Sequence, residues 1–589
     1  MLCTNNEVSG SGARILIEAL IENGVDTIFG YPGGSVLHIY DELSRYKDRI
    51  RHILVSHEQH AAHAADGYAR STGRAGVCLA TSGPGATNLV TGIATAFVDS
   101  VPVVAITGNV GIPLLGKDSF QEVDITGITM PIVKHNWIVE DVRELAQIVH
   151  EAFIVALSGR PGPVLIDIPK DISGADYNEQ RTINNEQSAS GEERKRGFCL
   201  NGRALRLIEK TRRETFNEAG IERAAALIND SKRPMIYAGG GVINSGAGEE
   251  LKKLAELINA PVALSLMGMG AFPCGHPLCT GLIGMHGTVA SNKAVQKADL
   301  LIALGARFSD RVTSGGNMFA RNAKIIHIDI DPAEINKNIA TDAFITGDLK
   351  IVLDRLIKKT KAKKSSEWNN EIENLKAKIS KDRARKNSLH PRFVIQETAK
   401  ALGDKAIVAT DVGQHQIWTA QFYPFKYPRS FLSSGGMGTM GYGMGAAIGA
   451  KIANNSAPAV LFTGDGCFKM NQGEMATMVR YGLPVLIIIF NNQTLGMLRQ
   501  WQNFFYSANY FETDLENNPD FIRLAGAYGV TGFRAIKETD FLEALKESVK
   551  ILSKGKPALI EAIIDKDEKV IPMVPGGRPV DEQIMKGSL

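Results

Sequence analysis

Short, compact runs of Val, Ile, Leu and Ala recur along this 589-residue chain, each closed by Gly, Pro, Asp or Asn and separated by helix-like patterns. Val101–Thr107, Val164–Ile168, Met235–Tyr237, Leu300–Leu304, Ile325–Ile330, Ala459–Thr463 and Val485–Phe490 are of this kind. A strand that is apolar without alternation must be covered on both faces, which is the condition of a parallel sheet flanked by helices. The grammar therefore predicts an α/β protein, with ligands held beyond the carboxyl ends of strands.

A chain this long exceeds one hydrophobic core. Two polar stretches, Tyr177–Arg213 and Lys358–Asn387, interrupt the apolar texture. The first reads as a flexible linker and the second as a charged surface helix with linker. The expected division is 1–176, linker 177–213, 214–357, charged linker helix 358–387, and 388–589. The fold class is three doubly wound parallel-sheet domains in series.

A net charge of +3 gives no field that would recruit nucleic acid or an anionic membrane. The apolar run Pro484–Phe490 is far too short to span a bilayer, and no basic-then-apolar leader is visible. Cysteines at 3, 78, 199, 274, 279 and 467 form no disulfide framework, so a reduced, cytoplasmic protein is expected. Cys274 and Cys279 bracket His276, but the usual CxxC spacing and a fourth ligand for zinc are missing.

The strand Ala459–Thr463 runs straight into Gly464-Asp465-Gly466, a helix-like segment follows at about Gly473–Tyr481, and the strand Val485–Phe490 ends in Asn491-Asn492. A strand–helix–strand unit brings Asp465 and Asn492 to the same edge of two parallel strands. One carboxylate, one amide oxygen and a nearby carbonyl, here Thr494, form a hard oxygen site that leaves room for two diphosphate oxygens on Mg²⁺. Gly464 and Gly466 permit the close backbone approach. Near the other end, Glu58 follows the strand Ile53–Val55 and opens the helix Gln59–Ser71 among His57, His60 and His63. Positions three apart drift around a helix, and this is not HExxH, so a metal site there is disfavoured.

The pairing of Gly464-Asp465-Gly466 with Asn491-Asn492 resembles the pattern of thiamine-diphosphate enzymes. Gly30-Tyr-Pro-Gly-Gly34, His57-Glu-Gln, Ala64-Ala-Asp-Gly-Tyr-Ala-Arg70, Thr81-Ser-Gly-Pro-Gly-Ala-Thr-Asn88 and Phe120-Gln-Glu122 narrow the resemblance. So do Gly159-Arg-Pro-Gly-Pro163, Met267-Gly-Met-Gly270, Gly436-Met-Gly-Thr-Met-Gly-Tyr-Gly443 and Arg499-Gln-Trp501. Together they are similar to the catalytic subunits of the acetohydroxyacid synthase (acetolactate synthase) family, over nearly the whole chain outside the 177–213 linker.

The resemblance implies a pyrimidine-binding, an FAD-binding and a diphosphate-binding domain in that order. It implies decarboxylation of pyruvate and ligation of the two-carbon unit to a second 2-oxo acid, pyruvate or 2-oxobutyrate, at the head of branched-chain amino-acid synthesis. The implied cofactors are thiamine diphosphate, Mg²⁺ and a non-redox FAD. Residue by residue, it makes Glu58 the acid that activates the cofactor's aminopyrimidine, and sets Gly34, Gln121 and Lys170 near the reacting centre. Gly436, Met440, Gly464, Gly466 and Met497 would hold the cofactor, with Met440 wedged beneath it. Asp465, Asn492 and Thr494 would bind the metal. Phe120, Arg311 and Trp501 would meet substrate, Trp501 favouring the larger acceptor. Arg160, His286, Gly305, Arg307, His327 and Asp329 fall on the flavin contacts. A homodimer or homotetramer and a small regulatory subunit are the implied partners, with no nucleic acid and no membrane. The chain departs from the common family pattern at Ser309, Gly111 and Ser35, the last two expected along the entrance channel.

Overall fold

The structure, a computed structural model, describes residues 9–178, 216–364, 367–377 and 389–585; most of the predicted 177–213 linker lies outside them. They form three six-stranded sheets, all parallel, and one small two-stranded antiparallel pair. The chain divides into two compact units, Met1–Thr211 with Ile448–Ala450, and the remainder.

The first unit holds β1 (Ser9–Ser11), β2 (Thr27–Gly30), β3 (Arg51–Leu54), β4 (Gly76–Ala80), β5 (Val103–Asn109), β6 (Asn136–Ile138), β7 (Val164–Pro169) and β8 (Asp176–Asn178). Its main sheet runs β3-β2-β4-β5-β7-β6, while β1 and β8 pair antiparallel. The central strands β4, β5 and β7 are buried along their whole length; they are mainly apolar, and the buried Asp167 of β7 accepts from Thr107 Oγ1 and Asn109 Nδ2 of β5. The helix Glu58–Thr72 covers this sheet through a face of small residues. His57 caps its start by accepting from the Gln59 amide at 3.1 Å, and Gly73 ends it at φ 79°, a left-handed cap where glycine lacks the Cβ penalty.

The second unit carries two sheets. The first contains β9 (Pro234–Ala238), β10 (Val262–Leu264), β11 (Cys279–Leu282), β12 (Leu300–Leu304), β13 (Lys324–Asp329) and β14 (Ala343–Thr346), in the order β11-β10-β9-β12-β13-β14. The other contains β15 (Ile407–Thr410), β16 (Phe431–Leu432), β17 (Ala459–Gly464), β18 (Val485–Asn491), β19 (Thr531–Ala535) and β20 (Ala558–Ile563), in the order β16-β15-β17-β18-β20-β19. One apolar cluster draws on both, from Ile236 and Leu304 to Phe462 and Ile488.

Two local expectations are revised. Part of the 358–387 segment forms the helix Glu367–Ala377, but this is not a fully solvated surface element. Trp368, Ile372 and Leu375 are buried with Met235 and Leu301 in a second cluster, and only the opposite face is charged. The helix expected at Gly473–Tyr481 starts earlier: Asp465–Asn471 is already helical, followed by a tight turn at Gln472–Glu474 and a further helix Met475–Arg480.

Candidate functional site

In the third sheet the chain leaves β15 toward β16 on one side and returns to β17 on the other. At such a reversal the loops beyond neighbouring carboxyl ends diverge and leave a crevice. A cleft of about 500 Å³ lies there, lined by Val412–His415, Met440, Gly464–Cys467, Asn492 and Thr494–Leu498 among others. The β17–β18 register pairs Gly464 with Phe490, so Asp465 and Asn492 leave the same sheet edge.

Both side chains are buried and held. Asp465 accepts from the Gly466 amide at 3.0 Å and from Asn518 Nδ2 at 2.8 Å. Burial raises its pKa to about 6 against the opposing pull of those donors, so the site is costly for a bare carboxylate and favourable for one facing a cation. Asn492 Oδ1 accepts from the Thr494 amide at 3.2 Å, and Thr494 is tethered through its hydroxyl to the Thr513 carbonyl at 2.7 Å. Met440 and Met497 both line the cleft, whereas Gly436 is exposed on the same loop as Met440. Trp501 lies one helical turn beyond Met497 on Gly496–Phe505, half-buried, with its ring 5.2 Å from Phe505.

A diphosphate fits this cleft on two observations. His415 is buried, and its Nε2 has no partner among the described residues. A Cβ on Gly496 would lie 2.1 Å from Gln414 Oε1 and 2.6 Å from Asn492 Nδ2, so this wall of the cradle has room only for glycine.

Sequence reasoning missed Gln414, His415 and Asn518, and above all Asp411. Asp411 is wholly buried at the end of β15. Its carboxylate accepts from the Gly443 amide at 2.8 Å, Thr463 Oγ1 at 2.7 Å and Asn471 Nδ2 at 3.1 Å. It therefore ties the loop after Met440 to both ends of the segment that carries Asp465. Asp411→Ala is expected to destabilise the protein by about 3 kcal/mol or more, because it strands several buried donors. Asp411→Asn is expected to cost less, since Asn471 Oδ1, partnerless among the described residues, can turn to accept from the new amide. Urea unfolding of both variants checks the order.

The first sheet reverses between β2 and β4, and the sequence-marked residues of that unit gather there. Glu58 is half-buried, and its Oε2 accepts from Asn88 Nδ2 at 3.0 Å. A Cβ on Gly85 would lie 3.4 Å from Glu58 Oε1, and one on Gly83 would lie 2.8 Å from the Gln121 carbonyl. Gly34 is open, with no atom within 4 Å of where a Cβ would stand, and Phe120 is 88% exposed. Ser35 is buried and accepts from the Ser82 amide at 2.9 Å while its hydroxyl meets Thr81 Oγ1 at 2.9 Å, so it locks the two loops together. Lys170 lies apart, exposed after β7, and next to it Asp171 accepts from the Ile112 amide beside Gly111. Arg160 donates through Nε to Ser100 Oγ at 2.8 Å.

The second sheet has its reversal between β9 and β12. Gly239–Gly241 follow β9 and Gly305 follows β12; a Cβ on Gly241 would lie 2.6 Å from the Gly305 Cα, and Gly305 has φ 55°. Gly305 was expected at the flavin from the resemblance, but Gly239–Gly241 were not singled out, although three glycines directly after a strand were their signal. Asp329 closes β13 and accepts from the Asp331 amide at 3.0 Å. His327 is wholly buried edge-on to Phe308 at 5.1 Å, beneath the loop that carries Arg307. Burial holds the pKa of His286 and of His327 down to about 4. His286 Nδ1 has no partner among the described residues. The Met285 amide donates to the Arg311 carbonyl at 2.8 Å, which places exposed Arg311 beside His286.

Three family models match: the N-terminal TPP binding domain of thiamine pyrophosphate enzymes over residues 10–128, their central domain over 221–356, and their C-terminal TPP binding domain over 411–562. Among similar proteins is one named probable acetolactate synthase large subunit from Methanocaldococcus jannaschii, 49% identical, covering 96% of this chain and 94% of its own. Acetolactate synthase large subunits from Corynebacterium glutamicum and Cyanidium caldarium are each 45% identical. The first match covers 96% of this chain and 89% of the relative, the second 97% and 96%.

Proposed function

The chain belongs to the acetolactate synthase large-subunit family of thiamine pyrophosphate enzymes, and we propose that it decarboxylates pyruvate and ligates the two-carbon unit to a second 2-oxo acid. Pyruvate as acceptor gives 2-acetolactate, and 2-oxobutyrate gives 2-aceto-2-hydroxybutyrate. The observation that carries this reading is the pair Asp465 and Asn492 at one sheet edge, beside an orphaned His415 nitrogen and a glycine-walled cradle.

Asp465, Asn492 and the Thr494 carbonyl would supply three oxygen ligands to Mg²⁺, a hard cation that also takes diphosphate oxygens and water. When bound, thiamine diphosphate supplies the acidic carbon and the electron sink that decarboxylation needs. Glu58 on the first sheet would be the carboxyl that exchanges a proton with the aminopyrimidine. Met440 fills the floor of the cleft as a flexible apolar wedge. Trp501 offers the extra methyl group of 2-oxobutyrate an apolar face. From the resemblance we assign Gly34, Gln121, Phe120 and Lys170 on the first unit, and Arg311 on the second, to substrate approach.

We assign the crevice at Gly239–Gly241, Gly305, Arg307 and Asp329 to FAD, with His286. Glycines at a sheet reversal allow a diphosphate to approach the backbone closely. The reaction moves no net electrons, so this flavin is structural. A dimer or tetramer, a small regulatory subunit and a cytoplasmic setting complete the assignment. The unpaired thiols of Cys78, Cys274, Cys279 and Cys467 support a reducing compartment, and no described helix is long and apolar enough to cross a membrane.

The test is acetolactate formation from pyruvate with thiamine diphosphate, Mg²⁺ and FAD each omitted in turn. Activity is expected only with all three. Absence of acetolactate under every condition overturns the main assignment, and full activity without FAD overturns the flavin assignment alone. Sedimentation at assay concentration tests the oligomer.

A further inference from the structure

Arg499-Gln500-Trp501 lies on the helix Gly496–Phe505, and its middle residue has no place in the chemistry above. Gln500 points inward and is only 3% exposed, between the partly exposed Arg499 and Trp501. Its amide is fully used. Oε1 accepts from Gln414 Nε2 at 3.1 Å and from the Val570 amide at 2.8 Å; Nε2 donates to the Val570 carbonyl at 3.0 Å and to Met573 Sδ at 3.4 Å. Gln414, itself buried, also donates to the Glu568 carbonyl at 2.8 Å and accepts from Asn492 Nδ2 at 3.4 Å.

These bonds form one buried chain of amides. It starts at the metal-ligand residue Asn492, passes through Gln414, and ends where Gln500 clamps the helix to the segment Glu568–Met573. Along that helix, Met497 faces the cleft and Trp501 follows Gln500 directly. Each amide can satisfy its neighbour in one orientation only, because Gln500 must present its oxygen to the Val570 amide and its nitrogen to the Val570 carbonyl. A shift at Asn492 is therefore passed on as a shift of the helix, with no slack taken up by water in so buried a chain.

We propose that Gln500 is a positioning residue that couples the metal site to acceptor choice, setting the depth of Trp501 according to where the cation holds Asn492. This rests on the carboligase reading above. Gln500 holds both ends of the chain, so breaking it is expected to change cation affinity and acceptor choice together.

The test uses the full chain with thiamine diphosphate and FAD present in excess. Wild type and Gln500→Leu, which keeps the bulk and removes every bond, are compared on two readouts. One is Mg²⁺ affinity from quenching of intrinsic fluorescence. The other is the ratio of 2-aceto-2-hydroxybutyrate to 2-acetolactate formed from mixed pyruvate and 2-oxobutyrate. Mg²⁺ affinity is expected to fall roughly 10-fold, the usual scale for removing support behind a ligand. The product ratio is expected to fall by up to about 10-fold, the lower end of what one methylene can discriminate.

A purely packing role would lower stability and leave the ratio alone, and an unchanged ratio or an unchanged Mg²⁺ affinity overturns the proposal. Where Gln500→Leu does not fold, the wild type carries the test. Ca²⁺ binds oxygen at about 2.3–2.6 Å against about 2.0–2.1 Å for Mg²⁺, so replacing Mg²⁺ by Ca²⁺ is expected to shift the product ratio; an identical ratio with both cations overturns it. A wild type that makes neither product sinks the carboligase reading instead, so the two failures are distinct.

Discussion

Glu58→Gln is expected to lower turnover roughly 100- to 10,000-fold, the range of a lost acid–base group, while Mg²⁺-dependent binding of thiamine diphosphate persists. The substitution is close to isosteric. Glu58 opens the helix Glu58–Thr72, and its Oε2 accepts from Asn88 Nδ2 at 3.0 Å. A glutamine oxygen can still accept that bond, so the helix start and the neighbouring Gly85 turn have no reason to move. What disappears is the carboxyl group that could exchange a proton. The residues proposed to hold the metal and diphosphate belong to the third sheet, so they do not sense the change directly. Steady-state kinetics and calorimetric titration of the cofactor, run on the same preparation, separate the two effects. Unchanged turnover removes Glu58 from its role, and loss of both turnover and cofactor binding reassigns it to holding the cofactor.

That Glu58 and Asp465 were legible in the sequence, and Asp411 and His415 were not, has a physical reason. Central strands covered on both faces must be apolar throughout, so Leu300–Leu304 and Val485–Asn491 announce themselves. Once two such strands are placed in parallel, whatever follows them shares an edge, and a carboxylate and an amide there read as oxygen ligands. Edge strands carry no such burden. Asn136–Ile138 is half-covered and has no pattern to detect. The helix Asp465–Asn471 was hidden by its own punctuation, because Asp-Gly at the start and Asn-Gln-Gly at the end are turn signals when read locally. Asp411, Gln414 and Gln500 are buried polar residues whose meaning lies in partners between 32 and 154 positions away. No local period records such contacts; they follow from the strand order alone.

His415 carries the other large expected effect, a pH dependence of cofactor binding. Its Nε2 has no partner among the described residues, and its remaining bond runs to the Asp411 backbone, whose carbonyl can only accept. Nδ1 therefore carries the hydrogen, and a neutral ring presents a lone pair at Nε2. Burial depresses the pKa of this imidazole to about 3. In the empty protein the unfolded chain takes up a proton near the ordinary value of about 6.5, and the folded chain only near 3. Stability thus rises with pH across that window. A diphosphate oxygen also only accepts, so pairing it with Nε2 requires the imidazolium. Binding then takes up about one proton, and affinity falls about tenfold per pH unit between the empty and loaded pKa values, levelling off above the latter. The ionisable neighbours are Asp411, held by its donors, Asp465, the proposed metal ligand, and Cys467, whose thiol burial pushes well up. The diphosphate itself titrates near pH 6, so the measurement belongs above neutrality, by calorimetry in buffers of different ionisation heat. His415→Gln supplies a permanent N–H donor and no titration. It is expected to bind more weakly than wild type, but with the slope and the proton uptake gone. A wild-type affinity that is flat above neutrality, or a slope that survives in His415→Gln, would show that the neutral ring suffices and that the proton resides elsewhere.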